Sequence, residues 1–241
     1  MSSPFLQPEG RSRLSFPTFK KNIKMVKGLI FDMDGTMVDN MMIHHRAWQR
    51  KLSALGLEMT IDEVKEKIHG VNEEIIKRTF GDRFTASERK QIAWEKEEEY
   101  RNIFLPELKL IDGLIEFLEA AKAANIPMAI GTAAPPENAN FILDNLNLGH
   151  YFKGVFHSGS VTKGKPDPQI FEKAAASMGL KTSDCVIFED SITGAEAAKR
   201  ANAPSVIVTT THEEAEFAHF DNVAVFIKDY TKLSLEEVMS F

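Results

Sequence analysis

Residues 26–39 read VKGLIFDMDGTMVD, and this stretch decides the fold. Its first six residues are largely apolar, and they give way at once to Asp32, Asp34 and Gly35. A short apolar run of this kind is typical of a strand that is buried on both faces, as in a parallel sheet. Because side chains two residues apart on an extended backbone point to the same side, the two carboxylates lie together. The stretch therefore predicts a buried strand with paired acids at its carboxyl end.

Short apolar runs recur along the rest of the chain. They lie at residues 126–130, 155–156, 185–188, 205–208 and 223–227. Helical patterns separate them, with apolar residues three and four positions apart, as at Leu114, Phe117 and Ala121. Strand–helix alternation of this kind predicts right-handed crossovers between parallel strands. We expect an α/β fold with a Rossmann-like open parallel sheet, each strand being buried on both faces.

Residues 40–105 interrupt this alternation. They contain no convincing strand, and their helical patterns lie at residues 44–55, 61–67, 73–80 and 87–104. We expect them to form an inserted α-helical cap subdomain over a core of residues 25–39 and 106–241. Trp48, Trp94 and the Met41–Met42 pair are expected to fill the interior of the cap, as large apolar side chains usually do.

The composition of the 241 residues excludes several classes of protein. Hydrophobic residues make up 43% and charged residues 27%, which is the balance of a globular chain and not of a collagen-like or disordered one. The longest uncharged stretch, residues 123–136, has 14 residues and three prolines, which is too short for a spanning helix. The net charge of −6 leaves no basic excess, so we expect neither nucleic acid nor membrane as a partner.

The cysteine content and the N-terminal segment bear on where the protein works. One cysteine cannot form an intrachain disulfide, which favours a reducing compartment, and we expect Cys185 to be an inert core residue. Residues 1–24 are basic, contain three prolines and lack the apolar core of a secretory signal. We expect this segment to be a flexible or vestigial extension, with an organellar targeting segment as the alternative. We expect the protein to be a cytoplasmic monomer.

Polar residues that follow the apolar runs give the first functional clue, because ligands of an open α/β sheet bind at the carboxyl ends of its strands. The residues in such positions are Asp32, Asp34, Thr132, Glu189 and Asp190. Two anions at the mouth of a buried sheet are costly unless a cation or a proton joins them, and hard oxygen ligands favour Mg²⁺. A helix cap is an alternative for Asp190, whereas Asp32 and Asp34 are too close together to be two caps.

Four segments, in chain order, resemble the motifs of the haloacid dehalogenase-like superfamily. The first is FDMDGTMVD at residues 31–39, and the second is Gly131-Thr132. The third is GKPDPQIF at residues 164–171, and the fourth is FEDSITG at residues 188–194. The helical insertion after the first motif resembles the C1-capped branch, which contains β-phosphoglucomutase and many small phosphatases. The resemblance runs from Val26 to the C-terminus and implies a phosphoryl-transfer enzyme.

The resemblance implies a role for each acid at the sheet edge. Asp32 would be the nucleophile that forms an aspartyl phosphate, and Asp34 would be the general acid and base. Mg²⁺ would be held by Asp32, Asp190 and the backbone carbonyl of Asp34. Glu189 would support the metal site from behind.

Three further residues would bind the phosphate group if the resemblance holds. Thr132 and nearby backbone N–H groups, that of Ala133 among them, would bind the non-bridging oxygens. Lys165 would neutralise the developing charge. Taken alone, Lys165 is more often a surface lysine and Thr132 a helix cap, but their position beside the acids favours the catalytic interpretation.

The inserted segment is expected to select the substrate. HHRAW at residues 44–48 resembles the hinge of β-phosphoglucomutase-like proteins, which implies that His44 lies near the leaving group. Lys96 aligns with a lysine that those proteins use to bind a sugar phosphate, although residues 95–101 form a charge run typical of a solvated helix face. Glu73 stands where the mutases carry an arginine for a second phosphate, and an acid would repel that phosphate.

The motifs together predict a Mg²⁺-dependent phosphatase that hydrolyses a small organic phosphate monoester, of the sugar phosphate kind, through an aspartyl phosphate. A β-phosphoglucomutase-like phosphomutase is the alternative, because it shares every residue of the sheet edge. A non-catalytic, degenerate binding protein is less favoured, since none of the four motifs is lost. A dehalogenase is disfavoured because Asp34 and the metal carboxylates would have no role in it.

Overall fold

The computed structural model describes residues 26–241, and the predicted extension at residues 1–24 lies outside that range. Its centre is a six-stranded parallel sheet with the strand order β3-β2-β1-β4-β5-β6. The strands are β1 (Gly28–Phe31), β2 (Met128–Gly131), β3 (Phe152–Phe156), β4 (Cys185–Glu189), β5 (Ser205–Val208) and β6 (Val223–Ile227). The predicted Rossmann-like open parallel sheet is confirmed.

Helices connect the strands and cover the sheet. Those that precede β2 are α1 (Met41–Ala54), α2 (Ile61–Lys67), α3 (Asn72–Phe80), α4 (Ala86–Phe104) and α5 (Leu114–Ala123). Those that follow β2 are α6 (Pro136–Asn145), α7 (Gln169–Ser177), α8 (Ile192–Arg200) and α9 (Leu235–Met239).

The register of the sheet brings the ends of its central strands to one level. Phe31, the last residue of β1, pairs with Ile130 of β2 and with Phe188 of β4. All residues of β1, β2, β4 and β5 are buried, whereas β3 and β6 each contain exposed and half-buried positions. The expectation that every strand is buried on both faces is therefore wrong for β3 and β6, which are edge strands with one neighbour each.

Successive residues of β1 face two different hydrophobic layers. Phe31 stacks on Phe188, with ring centroids 4.4 Å apart, and packs against Phe117 of α5 on one face of the sheet. Ile30 packs with Phe171 of α7 and Ile187 on the other face. This alternation places helices on both sides of the sheet, so the polar residues that follow each strand emerge at an edge between two apolar layers.

The helices α1 to α4 pack on one another around a small apolar cluster of their own. Its buried members are Trp48, Leu52, Val64, Ile68, Ile75, Ile76 and Ile92. Capping boxes start two of these helices: Thr60 pairs with Glu63 at α2, and Thr85 pairs with Glu88 at α4. Each box satisfies backbone N–H groups that the first turn leaves open.

The expectation that Trp94 and Met42 fill the interior of this helical unit is wrong. Trp48 is buried, but Trp94 is 48% exposed and Met42 is 39% exposed. The inward face of α4 carries Ile92 and Tyr100, which lie on the same side of the helix as Lys96 at spacings of four. Trp94, two residues from Ile92, points to the other side.

The division into a cap of residues 40–105 and a core of residues 25–39 and 106–241 stays a prediction, although α1 to α4 all lie between β1 and α5. Among residues 26–241, none of the helices combines the length and the apolar character that crossing a bilayer requires.

Candidate active site

Three polar residues lie where neighbouring strands end. Asp32 follows β1, Thr132 follows β2 and Asp190 follows β4, and these strands are adjacent in the sheet. The backbone N–H of Asp32 still donates to the Phe188 carbonyl at 2.9 Å, so the parallel ladder extends one residue beyond β1. The local backbone therefore fixes the position of the Asp32 side chain at the carboxyl edge.

A buried cluster of carboxylates forms at this edge. Asp32, Glu189 and Asp190 each offer an oxygen, and these oxygens lie within 4.8 Å of one another. The three residues are 5%, 0% and 4% exposed. Burial raises the pKa of Asp32 to about 7 despite the opposing effect of Lys165, and burial together with the Glu189 and Asp32 charges raises the pKa of Asp190 well above its usual range. Buried carboxylates this close together are stable in their ionised form only when a cation lies beside them.

Lys165 supplies part of that charge from the loop before α7. Its Nζ lies 2.6 Å from Asp32 Oδ1 and 2.5 Å from Glu189 Oε1. Burial alone would lower the pKa of Lys165, but the two carboxylates raise it overall. Lys165 is therefore a charged ammonium group at the centre of the cluster, and the surface interpretation of this lysine does not fit its place in the structure.

The donor set fits a hard divalent cation. When all three carboxylates are ionised, they exceed the one ammonium group by two negative charges, and the raised pKa values reflect this excess. Carboxylate oxygens at this spacing are the ligands that Mg²⁺ prefers. Asp32, Glu189 and Asp190 are the residues that could hold such an ion. The Asp34 side chain lies outside the cluster, which agrees with a contribution through its backbone carbonyl only.

Glu189 is engaged on both oxygens by protein donors. Its Oε2 accepts hydrogen bonds from the backbone N–H groups of Asp190 and Ser191 and from the Ser191 hydroxyl, at 3.0 to 3.1 Å. Its Oε1 accepts from Lys165. Glu189 therefore orders the loop that carries Asp190, as the prediction of a supporting role requires.

Two glycines make room for these carboxylates. A Cβ atom at Gly194 would collide with the Glu189 carboxyl group, and one at Gly35 would collide with the Asp190 carboxyl group. Gly35 also has a φ of 75°, which disfavours other residues. Both glycines belong to the motifs at residues 31–39 and 188–194, and their place beside the acids explains why the motifs contain them.

Threonine hydroxyl groups hold Asp190 in place, and sequence analysis assigned them no role. Thr36 donates to Asp190 Oδ1 at 3.3 Å, and Thr211, in the loop after β5, donates to Asp190 Oδ2. The neighbouring Thr210 hydroxyl donates to the Gly35 carbonyl. The only signal in the sequence was the run of threonines at residues 209–211, directly after an apolar strand.

Asp34 lies beside the cluster and has a different hydrogen-bond partner, the Asn40 amide. Its Oδ1 accepts a hydrogen bond from the Asn40 amide at 2.6 Å, and Asn40 in turn lies 2.6 Å from the Tyr100 hydroxyl group. Burial raises the pKa of Asp34 despite the Asn40 hydrogen bond. A raised pKa brings a carboxyl group closer to the range in which it can both give and take a proton near neutral pH.

His44 faces the second oxygen of Asp34. Its Nε2 lies 3.9 Å from Asp34 Oδ2, and its ring stacks on Tyr100 with centroids 3.9 Å apart. Burial, with a further contribution from Lys96, lowers the pKa of His44 well below its usual range. The structure therefore brings His44 and Asp34 together, with the imidazole in its neutral form.

The two residues predicted to bind phosphate after β2 differ in exposure. Thr132 is fully buried, and its hydroxyl oxygen accepts the Ala134 N–H at 3.1 Å. Ala133 between them is exposed. The turn therefore presents its backbone to solvent at Ala133, beside the strand that carries Asp32.

Lys96 and Glu73 lie in contrasting places. Lys96 is 2% exposed, and its Nζ contacts His44 Nδ1 at 2.9 Å and Glu97 at 3.0 Å. The solvated-face alternative for Lys96 is wrong, and the ammonium group lies behind His44. Glu73 lines a cavity of about 460 Å³ with Glu74, Lys77, Arg78 and Arg89. None of the hydrogen bonds found within residues 26–241 joins Glu73 to Asp34, His44 or Lys96.

Carboxylates gathered at the carboxyl edge of an open parallel sheet, with a helical unit inserted after its first strand, place the protein among the α/β enzymes. Residues 26–202 match the haloacid dehalogenase-like hydrolases, and the chain belongs to this family. The resemblance seen in the four motifs is thereby confirmed.

Individual relatives include phosphatases and a mutase. The chain is 32% identical over 186 residues to fructose-1-phosphate phosphatase YqaB of Escherichia coli, covering 75% of this chain and 95% of the relative. It is 30% identical over 184 residues to β-phosphoglucomutase of Bacillus subtilis, covering 73% and 80%. A family IA hydrolase from Entamoeba histolytica superposes with a TM-score of 0.81 at 27% identity, covering 88% of this chain and 97% of that one. The prediction of an enzyme of the phosphatase type is confirmed at this level.

Proposed function

We propose that this protein is a Mg²⁺-dependent phosphatase that hydrolyses a small, sugar-like phosphate monoester through an aspartyl phosphate on Asp32. The observation that carries the proposal is the arrangement around Asp32. Its carboxyl group lies 2.6 Å from the Lys165 ammonium group and within 4.8 Å of the Asp190 and Glu189 oxygens. A nucleophile for a phosphate group needs this combination of a carboxylate and neighbouring positive charge.

In the first half of the reaction, an oxygen of Asp32 attacks phosphorus and the bond from phosphorus to the leaving oxygen breaks. Lys165 neutralises charge on the transferring group, while Thr132 and the backbone N–H of Ala133 bind non-bridging oxygens. Asp34 gives its proton to the leaving oxygen, so the alcohol departs neutral.

In the second half, a water molecule attacks the phosphorus of the aspartyl phosphate. Asp34, now a carboxylate, takes the proton of that water, which regenerates its acid form. The bond between phosphorus and Asp32 breaks, inorganic phosphate leaves, and the Asp32 carboxylate is restored. The Asn40 amide on Asp34 Oδ1 keeps this carboxyl group oriented through both halves.

Asp32 and Asp190, with the backbone carbonyl of Asp34, would hold Mg²⁺. When bound, the ion supplies positive charge that offsets the repulsion between the phosphate group and the carboxylates. Glu189 and Thr211 would keep Asp190 in position for it, because both contact the loop or the carboxyl group of that residue.

Residues 40–105 are proposed to act as a cap that closes over the core of residues 25–39 and 106–241. The predicted hinges are Asp39–Asn40 and Leu105–Pro106. Closure would exclude water during transfer to Asp32, and reopening would admit the water that completes the reaction. The contacts of Asn40 with both Asp34 and Tyr100 of α4 support this assignment.

The mutase alternative has support in the 30% identity to β-phosphoglucomutase, and the charges on α3 and α4 argue against it. A mutase must hold a bisphosphate at two ends. Here Lys96 is already paired with Glu97 at 3.0 Å, and Glu73 adds a negative charge on α3. A second phosphate beside His44 would therefore meet a lysine that Glu97 already neutralises, while Lys77, Arg78 and Arg89 line the cavity next to Glu73.

A screen of phosphate release tests the proposal. The panel contains fructose 1-phosphate, other sugar monophosphates, a nucleotide and pyrophosphate, each assayed with Mg²⁺ and with excess chelator. We expect hydrolysis of one or more sugar monophosphates that stops in chelator. Conversion of β-glucose 1-phosphate to glucose 6-phosphate that outpaces phosphate release would replace this function with the mutase.

A further inference from the structure

Glu97 of α4 is a buried carboxylate with partners from three helices. Its Oε1 accepts from Lys96 Nζ at 3.0 Å and from the Asn72 amide of α3 at 2.6 Å. Its Oε2 accepts from the Asn138 amide of α6 at 2.7 Å. The side chain is only 12% exposed. A carboxylate with this many donors is fixed in one orientation, because each hydrogen bond constrains the same planar group.

Glu97 is ionised throughout the physiological range. Burial by itself would raise its pKa, but the Lys96 ammonium group, helped by the Asn72 and Asn138 amides, lowers it overall. An ionised carboxylate can only accept hydrogen bonds. A hydrogen of the Lys96 amine therefore points at Glu97.

Besides Glu97, the Lys96 ammonium group contacts Trp48 and His44. Its side chain is 3% exposed, and its Nζ lies 5.5 Å from the centroid of the Trp48 ring. The one other hydrogen-bond partner found for Nζ within residues 26–241 is His44 Nδ1, at 2.9 Å. Burial lowers the pKa of Lys96, and the Glu97 carboxylate at 3.0 Å opposes that shift and favours the ammonium form. An ammonium group has no lone pair to offer, so in this form Lys96 donates and Nδ1 accepts.

An accepting Nδ1 determines the tautomer of His44. A neutral imidazole with a bare Nδ1 carries its hydrogen on Nε2. Nε2 faces Asp34 Oδ2 at 3.9 Å, beyond direct hydrogen-bond range. This N–H group is therefore turned toward the place where Asp34 meets the leaving oxygen.

The partner on α6, Asn138, joins Glu97 to a helix that follows β2 in the chain. Asn138 is fully buried, and its amide oxygen accepts from Arg101 Nη1 of α4 at 2.8 Å while its nitrogen donates to Glu97. Both ends of the Asn138 side chain are thus used by α4. Glu97 keeps its full set of donors only while α4 lies against α6.

We propose that Glu97 is a positioning residue that holds Lys96 against His44 Nδ1, so that His44 presents an Nε2–H group to the leaving oxygen beside Asp34. The role of His44 in this statement rests on the proposed function. The tautomer of His44 does not, since it follows from contacts within the protein.

The test compares Glu97→Gln with Glu98→Gln, which removes the same charge from an exposed neighbour on the same helix. In Glu97→Gln the Lys96 amine loses its ion-pair partner, and a neutral amine can accept from Nδ1–H as readily as it donates. Nitrogen-15 NMR of the histidine side chains reads the result directly, with the His44 signals assigned by their loss in His44→Asn.

We expect a bare Nδ1 and a protonated Nε2 in the wild-type protein and in Glu98→Gln, and a mixture of tautomers in Glu97→Gln. In the hydrolysis assay, we expect kcat of Glu97→Gln to fall on the order of tenfold with KM nearly unchanged, because the loss concerns orientation in the transition state. Glu97→Asp, which keeps the charge, should recover part of the loss.

A folding defect in Glu97→Gln would not leave the proposal untested. The double variant Lys96→Met/Glu97→Gln removes both charges together and keeps the buried region neutral. It should show the same mixture of tautomers. An unchanged His44 tautomer in either folded variant would overturn the proposal. Absence of phosphate release by the wild-type protein, with the tautomer shift still present, would instead reject the proposed function and keep the positioning role.

Discussion

The carboxyl edge of the sheet and the helices α1 to α4 both bury charge, but they balance it differently. At the sheet edge, three carboxylates share one ammonium group, that of Lys165. On α4, Lys96 and Glu97 form a pair that is one to one. An unbalanced set of buried charges needs a ligand to complete it, whereas a balanced pair completes itself and holds its neighbours in place.

The difference also shows in the backbone that carries each group. Asp32 and Asp190 stand on short segments directly after strands, where the side chains point out of the sheet edge. Lys96 and Glu97 stand in the middle of a 19-residue helix, surrounded by its neighbours. In the proposed function, the first region meets a phosphate group and a metal ion, and the second orients His44.

Replacing the nucleophile tests the sheet edge most severely. We expect Asp32→Asn to lose at least a thousandfold in kcat, because an amide does not attack phosphorus, while the fold stays intact. The loss of one crowded negative charge should leave thermal stability unchanged or raised in metal-free buffer. Steady-state kinetics and circular dichroism check both statements.

Asp144→Asn is the matched control for this variant, since it removes the same charge from an exposed position on α6. It should keep wild-type activity. Retention of more than a few per cent of activity in Asp32→Asn would remove Asp32 from the role of nucleophile.

Without Mg²⁺, the carboxylates at the sheet edge should lack a cation that balances their charge. The pKa of Asp32 is raised from about 3.8 to about 7 in the folded protein, so between these values the folded state binds more protons than the unfolded state. Stability of the metal-free protein should therefore fall as pH rises from about 4 to 7. Mg²⁺ competes with those protons, so saturating Mg²⁺ should raise Tm by about 5 °C or more at pH 8 and by less at pH 5.

Thermal melts in Mg²⁺ and in chelator, at both pH values, measure this effect. Asp32→Asn serves as the control, because it lacks the titrating group and should show a weaker dependence on pH. An equal effect of Mg²⁺ at pH 5 and pH 8 would count against a metal site built on these carboxylates.

A smaller change is expected when a support of Asp190 is removed. Thr211→Val keeps the shape of the side chain but deletes the hydroxyl group that donates to Asp190 Oδ2. Loss of such a supporting hydrogen bond typically weakens metal binding on the order of tenfold. Titration calorimetry with Mg²⁺ measures this directly, without reliance on turnover.

Thr209→Val is the matched control, because the Thr209 hydroxyl donates to the Ile227 carbonyl and not to Asp190. Thr211→Ser should restore most of the affinity. If Thr211→Val and Thr209→Val bind Mg²⁺ equally well, the hydroxyl group contributes only to the local structure of the loop.

The sequence allowed the sheet and its edge to be predicted closely, because both are encoded locally. The apolar runs at residues 205–208 and 223–227 are β5 and β6 to the residue, and the acids at the ends of β1 and β4 meet as expected. Strand order and edge positions depend on contacts between distant segments. For that reason, the partial exposure of β3 and β6 did not follow from their composition.

The positions of the inserted helices were predicted well, but the burial and the contacts of their side chains were predicted poorly. The helix predicted at residues 87–104 is α4, but the burial of Lys96 was missed because a run of charges dominates residues 95–101. Its position four residues from Ile92 and from Tyr100 was the available signal. Asn138 could not have been found, since its role depends on α6 meeting a helix that lies some 40 residues earlier in the chain.

The smallest expected effect concerns Glu73 of α3. Glu73 lines a cavity with Lys77, Arg78 and Arg89, away from the contacts of Lys96. If it nevertheless faces the substrate in the closed protein, Glu73→Arg should weaken the natural monophosphate a few-fold and improve binding of a sugar bisphosphate, because a guanidinium group grips phosphate at two points. Competition by glucose 1,6-bisphosphate against monoester hydrolysis measures both changes.

Glu74→Arg, at the exposed neighbour on α3, carries the same change of charge. It should leave the affinities for the monophosphate and for the bisphosphate within about twofold, as surface charges do. If the two variants behave equally, Glu73 does not face the substrate and affects only the cavity that it lines. The Lys96–Glu97 pair would then be sufficient to exclude a second phosphate.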